Sequence, residues 1–125
     1  MIVGMGVDIA EIDRVEAAIR RHGQAFLERV FTPEEIRYCE RHKAKFERHA
    51  ARFAAKEAAM KALGTGWRRG VRWRDIEVRN EASGKPGIHF AGVAAELAEK
   101  MGARHFHLSI THSGNLALAQ VILED

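Results

Sequence analysis

An alanine-rich stretch, RFAAKEAAMKALGTG from Arg52 to Gly66, limits the possible folds of this 125-residue chain more than any other segment. Alanine favours the helix strongly and adds almost no bulk. A helix built from it therefore allows another backbone to approach closely. We place this helix at residues 48–63 and expect it to stop at Gly64, because glycine is the usual residue just beyond a helix end.

Three charged residues, Lys56, Glu57 and Lys61, stand among these alanines. Taken alone, they are explained by a solvated helix face on which Glu57 and Lys61, four residues apart, form an ordinary ion pair worth a few tenths of a kcal/mol. The alternative is a set of functional side chains at a place that a second element can reach. The rest of the sequence has to decide between the two.

The first ten residues, MIVGMGVDIA, alternate in character as in a strand with one buried face. The apolar face contains Val3, Met5, Val7 and Ile9, and the opposite face contains Gly4, Gly6 and Asp8. The two glycines leave Asp8 on a face with almost no side-chain cover, where another group can come close.

The remaining segments indicate an α+β domain with a mainly antiparallel sheet. Residues 11–22 are predicted as a helix, on which Arg14 and Arg21 share one face, and the capping sequence at Thr32 begins another helix. Residues 75–90 read as two strands joined by a turn, residues 91–102 as a helix, and residues 105–124 as two strands around HSGN. The predicted order is β-α-α-α-β-β-α-β-β, packed as one domain over residues 1–125.

Composition narrows the classes of partner. With 20 Lys and Arg against 17 Asp and Glu, the formal charge is +3, and the basic residues cluster in segments such as RYCERHKAKFERHAAR and WRRGVRWR. Anionic partners are therefore expected: nucleic acid, a phosphorylated cofactor or an acidic protein. No apolar run is long enough to span a bilayer, no signal peptide is recognisable, and the single Cys39 excludes an internal disulfide, so we expect a cytoplasmic protein.

Two arrangements of side chains could carry chemistry. If the first strand packs on the alanine-rich helix, Asp8 and Glu57 could hold Mg²⁺, which takes one or two carboxylates together with phosphate oxygens, and Lys61 would suit those phosphates. The histidines His105, His107 and His112 suggest a zinc or copper site instead. Neither a cysteine pair nor a nearby carboxylate completes that set, so histidines on a polar strand face are the better interpretation.

Four segments together resemble the bacterial holo-[acyl-carrier-protein] synthases, short members of the 4′-phosphopantetheinyl transferase superfamily. They are GMGVDIAEIDRV, RFAAKEAAMKALGTG, GKPGI and HLSITHSGNLALAQVILE, and they cover nearly the whole chain in order. The superfamily's two signatures, G-x-D on a strand and F-x-x-K-E-x-x-x-K on a helix, are both present.

The resemblance implies that coenzyme A donates its phosphopantetheine to a serine of an apo-acyl carrier protein, leaving adenosine 3′,5′-bisphosphate, in fatty acid biosynthesis. By motif position, Asp8 and Glu57 would hold Mg²⁺, Glu57 would receive the serine proton, directly or through a metal-bound water, and Lys61 would neutralise phosphate charge. The implied contacts to coenzyme A are Arg52, Lys56, Lys85 and His107. The resemblance also implies a homotrimer with sites at subunit interfaces, and an acidic carrier protein that would dock on Arg14 and Arg21.

A small nucleic-acid-binding module is the competing hypothesis. It explains the basic composition but not Asp8 and Glu57, which would repel phosphates unless a cation bridged them. The sequence also lacks an RNA-binding signature and an aromatic platform for stacking bases. We therefore expect a transferase that acts on neither nucleic acid nor a membrane.

Overall fold

The structure, a computed structural model, describes residues 1–65 and 70–125. The first three residues of the basic stretch Trp67–Arg74 therefore lie outside the described residues. In chain order the elements are β1 (Ile2–Glu11), α1 (Ile12–His22), α2 (Gln24–Val30), α3 (Pro33–Glu40), α4 (Lys45–Leu63), β2 (Ile76–Asn80), β3 (Pro86–Phe90), α5 (Gly92–Lys100), β4 (His105–Ser113) and β5 (Leu116–Glu124). The predicted α+β class and element order are confirmed, with the seven-residue helix α2 in addition.

Two antiparallel sheets form the β layer. The larger has the order β1-β5-β4, so the last strand of the chain lies between the first strand and β4. Its register places Gly6 opposite Val121 and Asp8 opposite Ala119. The smaller sheet is the β2–β3 hairpin. No helix of the described residues is long and apolar enough to cross a membrane.

Helix α4 forms the centre of the core because the inner face of the larger sheet packs on it. The inner-face side chains of β5 are completely buried: Ala117, Ala119, Val121 and Leu123. On β1, a Cβ added to Gly6 would stand 2.0 Å from the carbonyl oxygen of Ala58, and one added to Gly4 would stand 2.3 Å from that of Ala62. The glycines of the strand and the alanines of the helix therefore allow direct backbone contact.

This packing reverses the expected burial of β1. The apolar side was predicted to face the core, but Met5, Val7 and Ile9 are 57, 50 and 57% exposed. The opposite side, with the two glycines and Asp8, faces α4. The prediction was wrong because it assumed that bulk decides which face is buried. Here close approach of two backbones requires the face without side chains to lie inward.

The start of α3 confirms the predicted capping box. Thr32 Oγ1 accepts a hydrogen bond from the backbone N–H of Glu35 at 3.3 Å, and Glu35 Oε1 accepts one from the N–H of Thr32 at 2.8 Å. The second carboxylate oxygen of Glu35 accepts a hydrogen bond from Val78 N–H at 2.8 Å and so joins α3 to β2. On the same helix Cys39 is buried, and burial raises the pKa of its thiol to about 12, which agrees with a packing role.

Candidate active site

Asp8 and Glu57 come together where β1 crosses α4. Both side chains are partly buried. Burial raises the pKa of Glu57, and the negative charge of Asp8 and a hydrogen bond with it raise that pKa further. The two carboxyl groups are thus close neighbours, although 49 positions separate them in the sequence. The sequence predicted this pair on the condition that strand and helix pack together, and they do.

The donor set fits a magnesium ion. Two carboxylates held this close repel each other, and a divalent cation between them would relieve that repulsion. Within residues 1–65 and 70–125, the structure contains no group of three or more His, Cys, Asp and Glu side chains arranged for a metal. Two oxygen ligands from the protein suit Mg²⁺, which keeps its other positions for water and for phosphate oxygens of a substrate.

Lys61 lies beside this pair, one helical turn after Glu57. Its Nζ donates hydrogen bonds to Asp8 Oδ1 and to the carbonyl oxygen of Val7, both at 3.0 Å. The side chain is 54% exposed, so the ammonium group is open to solvent next to the carboxylates. A lysine in this position can attract an anionic group that also binds the metal.

Arg52 lies on a different side of α4, facing α3 and β2. Its Nη2 donates a hydrogen bond to Asn80 Oδ1 at 3.1 Å, and its guanidinium lies over the ring of Tyr38 with 3.9 Å to the centroid. The buried Nε of Arg52 has no hydrogen-bond partner among the described residues. These groups line a cavity of about 680 Å³, with further arginines at positions 37, 41 and 79. Glu34 also lines this cavity and forms an ion pair with Arg37, but arginines outnumber it, so the cavity still favours anions.

Lys56 has a role other than the predicted contact with coenzyme A. Its side chain is completely buried, and its Nζ lies 2.7 Å from Glu35 Oε1. It also donates hydrogen bonds to the carbonyl oxygens of Ile76 and of Trp73, the latter at 3.1 Å. Burial lowers the pKa of Lys56, and the carboxylate of Glu35 opposes that shift. Because all three ammonium protons have internal acceptors, Lys56 joins α4 to α3 and β2 rather than facing a ligand.

Lys85 and His107 lie away from the carboxylate pair within this single chain. Lys85 is exposed in the turn before β3. His107 is on β4, where its Nε2 lies 2.7 Å from Glu124 Oε1. It projects on the outer face of the larger sheet, together with Met5, whereas Asp8 projects on the inner face. One chain does not bring the predicted donor residues into one site.

Arg14 and Arg21 are both exposed on α1. Arg14 lines a cavity of about 290 Å³ whose other walls come from β1, α1, α2 and α4, with Ile9, Phe26 and Phe53 among them. Glu11 lines the same cavity and offsets the charge of Arg14 there, so the cavity itself offers mainly an apolar and aromatic recess. The two arginines could be picked out from the sequence, but this cavity could not, since Phe26 belongs to the helix that was not predicted.

Two residues that were not predicted from the sequence, Tyr38 and Asn80, contact the Arg52 side chain. A signal for the first was present: Arg37, Tyr38 and Arg41 lie close together at the end of a helix that the capping box already located. No such signal exists for Asn80, because Asn80 comes close to Arg52 only when β2 packs beside α4. Arg52 and Asn80 are 28 positions apart in the sequence.

Comparisons with known proteins agree with this architecture. The family model of the 4′-phosphopantetheinyl transferase superfamily matches residues 4–121. A holo-[acyl-carrier-protein] synthase of Solibacter usitatus is 59% identical over 125 residues, and that of Koribacter versatilis is 54% identical, each match covering the whole of both chains.

Solved structures give the same result. The crystal structure of holo-[acyl-carrier-protein] synthase from Neisseria meningitidis has a TM-score of 0.91 at 36% identity, with complete coverage of both chains. The enzyme from Bacillus anthracis, solved in complex with coenzyme A (3′,5′-ADP), has a TM-score of 0.81 at 41% identity, and the match covers 98% of this chain and 96% of that one. The chain belongs to the 4′-phosphopantetheinyl transferase superfamily and, within it, to the holo-[acyl-carrier-protein] synthases.

Proposed function

We propose that this protein transfers the 4′-phosphopantetheine group from coenzyme A to a serine of an apo-acyl carrier protein, with Mg²⁺ as its metal ion. The products are the holo-carrier protein and adenosine 3′,5′-bisphosphate. The reaction would serve fatty acid biosynthesis in the cytoplasm, and the chain would act as a single domain. The observation that carries the proposal is the carboxylate pair Asp8 and Glu57 beside Lys61, at a contact between a glycine strand and an alanine helix.

The chemistry is a phosphoryl-type substitution. The serine oxygen forms a bond to the phosphorus that carries the pantetheine, the bond from that phosphorus to the bridging oxygen of the diphosphate breaks, and the serine proton is accepted by a base. Glu57 is the residue we assign to that proton. Lys61 would stabilise negative charge on the phosphates as the bond breaks, because such reactions depend mainly on positioning and charge. Bound at Asp8 and Glu57, Mg²⁺ would add neutralisation of the diphosphate oxygens.

For the donor, we propose that Arg52 contacts the phosphorylated end of coenzyme A. Two observations support this assignment: Nε of Arg52 is buried without a hydrogen-bond partner among the residues that the structure describes, and further arginines line the 680 Å³ cavity. Lys85, an exposed cation in the turn before β3, remains a proposed contact. Lys56 is no longer proposed as one, because its ammonium group is buried among protein acceptors.

The position of His107 bears on the oligomeric state of the protein. This histidine lies on the outer sheet face, on which Met5, Val7 and Ile9 are also half exposed or more. An apolar sheet face of this kind marks an interaction surface. We propose that copies of this chain cover it in a homotrimer, so that His107 of one subunit contacts coenzyme A bound at the carboxylates of another. Light scattering on Val7→Asp against wild type would test this, with a monomeric variant and a trimeric wild type expected. A monomeric wild type would contradict it.

For the acceptor, we propose that an acidic carrier protein docks on α1. Arg14 and Arg21 supply positive charge, and the 290 Å³ cavity beside Arg14 supplies an apolar recess. The start of α1 lies one residue after the end of β1, so this surface begins close to Asp8. That arrangement would bring the carrier's serine toward the metal site.

Intact-mass spectrometry tests the function. The protein would be incubated with coenzyme A, Mg²⁺ and an apo-acyl carrier protein that a known synthase can modify, and the carrier would then be weighed. We expect a mass increase of one phosphopantetheine group and release of adenosine 3′,5′-bisphosphate. Heat-inactivated protein is the control. An unmodified carrier that the known synthase does modify in parallel would contradict the proposal.

A further inference from the structure

Helix α1 has no side-chain cap of its own at its N-terminus. Its N-cap residue, Glu11, makes no side-chain hydrogen bond to the first turn. The turn between β4 and β5 supplies the missing partners instead. The carbonyl oxygen of Asn115 accepts a hydrogen bond from Ile12 N–H at 2.8 Å, and Asn115 Oδ1 accepts one from Asp13 N–H at 3.0 Å.

The same amide also contacts the side chain of Asp13. Asn115 Nδ2 donates to Asp13 Oδ1 at 2.8 Å, across 102 positions of sequence. Asp13 thus donates through its backbone N–H and accepts through its carboxylate Oδ1, and the side-chain amide of Asn115 in one orientation satisfies both groups. Asn115 thus satisfies two N–H groups at the start of α1 that have no acceptor within the helix.

The turn that carries Asn115 is itself held in place. Three residues earlier, His112 Nε2 lies 2.8 Å from Glu47 Oε1 in the first turn of α4. The end of the β4–β5 hairpin therefore contacts the starts of both α1 and α4. The first carries Arg14 and Arg21, and the second carries Glu57 further along.

We propose that Asn115 is a positioning residue for the acceptor: it fixes the direction of α1 so that Arg14 and Arg21 face the carrier protein correctly. This inference rests on the proposed function. Val15 is the buried residue of α1, and Ile12 and Ile19 pack against the core in part, so packing holds the helix along a single stripe. A tilt of about 10° at the helix start would move Arg21, about 12 Å along the axis, by about 2 Å. That displacement is enough to spoil a charged contact.

Three variants and a control test the role. Asn115→Ala removes the cap without changing charge. Asn115→Asp alone places two carboxylates against each other. The double change Asp13→Asn with Asn115→Asp exchanges the partners, since the new amide at position 13 can donate to the new carboxylate at position 115, and that carboxylate can still accept from the backbone N–H at position 13. Ser113→Ala, in the same hairpin end, is the matched control.

The measurement is steady-state transfer against varied carrier protein and, separately, varied coenzyme A, at low and high salt. For Asn115→Ala we expect the KM for the carrier to rise several-fold, because a misdirected α1 weakens the charged contacts of Arg14 and Arg21. The value of kcat and the KM for coenzyme A should stay near wild type. The exchanged pair should recover the carrier KM that Asn115→Asp loses. The defect of Asn115→Asp should persist at high salt, because salt screens repulsion between the new carboxylate and an acidic carrier but does not restore the hydrogen bond to Asp13 Oδ1.

An Asn115→Ala protein that melts at a lower temperature but keeps the wild-type carrier KM would overturn the inference, because the cap would then be structural only. So would an equal rise in both KM values. Either result, obtained with a wild type that transfers normally, leaves the proposed function intact. A wild type that modifies no carrier would overturn both.

Discussion

Replacing Gly6 by alanine tests the contact on which the carboxylate pair depends. The added Cβ would stand 2.0 Å from the carbonyl oxygen of Ala58, 2.8 Å from the backbone nitrogen of Ala62 and 2.9 Å from the Cβ of Lys61. Two of these three atoms belong to the backbone of a buried helix, so they cannot turn aside. Ordinary contact begins at 3.4 Å, and β1 must therefore move away from α4 by about 1.4 Å.

Such overpacking costs about 1–3 kcal/mol of stability. For a chain of this size, a loss of about 2 kcal/mol lowers the melting temperature by roughly 5–10 °C. Activity should suffer more, because Asp8, two residues along the strand, moves away from Glu57. A misplacement of about 1 Å at a reacting centre can reduce the rate on the order of 10²-fold. We thus expect a folded protein that has lost at least that much transfer activity.

The assay combines thermal melting by circular dichroism with transfer rates at a temperature where both proteins are folded. Gly87→Ala is the matched control for stability, since its Cβ would meet nothing closer than 3.7 Å. The reasoning is refuted if Gly6→Ala melts within about 1 °C of wild type and transfers normally. In that case strand and helix are not in direct backbone contact.

Three further predictions concern individual side chains. Lys56→Met should lower the free energy of unfolding by about 3–5 kcal/mol, because it leaves the Glu35 carboxylate buried without its partner. Lys61→Met should change the free energy of unfolding by no more than about 0.5 kcal/mol and reduce kcat on the order of 10²-fold. Chemical denaturation and transfer kinetics would separate the two variants, and the reversed pattern would exchange the roles of the two lysines. Arg14→Glu and Arg21→Glu should raise the KM for the carrier and spare that for coenzyme A, and an unchanged carrier KM would exclude α1 as the docking surface. Burial lowers the pKa of His49 below its unfolded value, so the unfolded chain takes up the proton first and the free energy of unfolding should fall as the pH drops through about 6.5. Melting temperatures measured from about pH 8 to about pH 5 should depend less on pH for His49→Gln than for wild type. An equal pH dependence of the two proteins would exclude His49 as the cause.

The features that could be predicted from the sequence are those that depend on neighbours in the chain. The helix α4 ends at Gly64 as expected, with that residue at a φ of 77°, and the capping box at Thr32 is present. Both are local, since a residue within four positions decides each. The pairing of Asp8 with Glu57 is not local, and it was predicted only on the condition that the first strand packs on the alanine-rich helix, as the structure shows.

The errors have a common physical origin. The exposed face of β1 and the burial of Lys56 depend on partners that are distant in sequence. The resemblance implied that Lys56 contacts coenzyme A, but the structure buries this side chain, which is rare for lysine. Its burial is possible only because Glu35, 21 positions earlier, supplies a carboxylate and two carbonyl oxygens complete its shell. No periodicity or spacing in the sequence reports such a distant partner.

The most direct test of the account is calorimetric titration of Mg²⁺ into the protein saturated with coenzyme A. Wild type should bind one ion per active site. Asp8→Asn and Glu57→Gln, which keep the shape of each side chain and remove its charge, should each lose that binding while their circular dichroism spectra remain unchanged. If both variants bind Mg²⁺ as tightly as wild type does, the carboxylate pair between β1 and α4 is not the metal site, and the central claim is wrong.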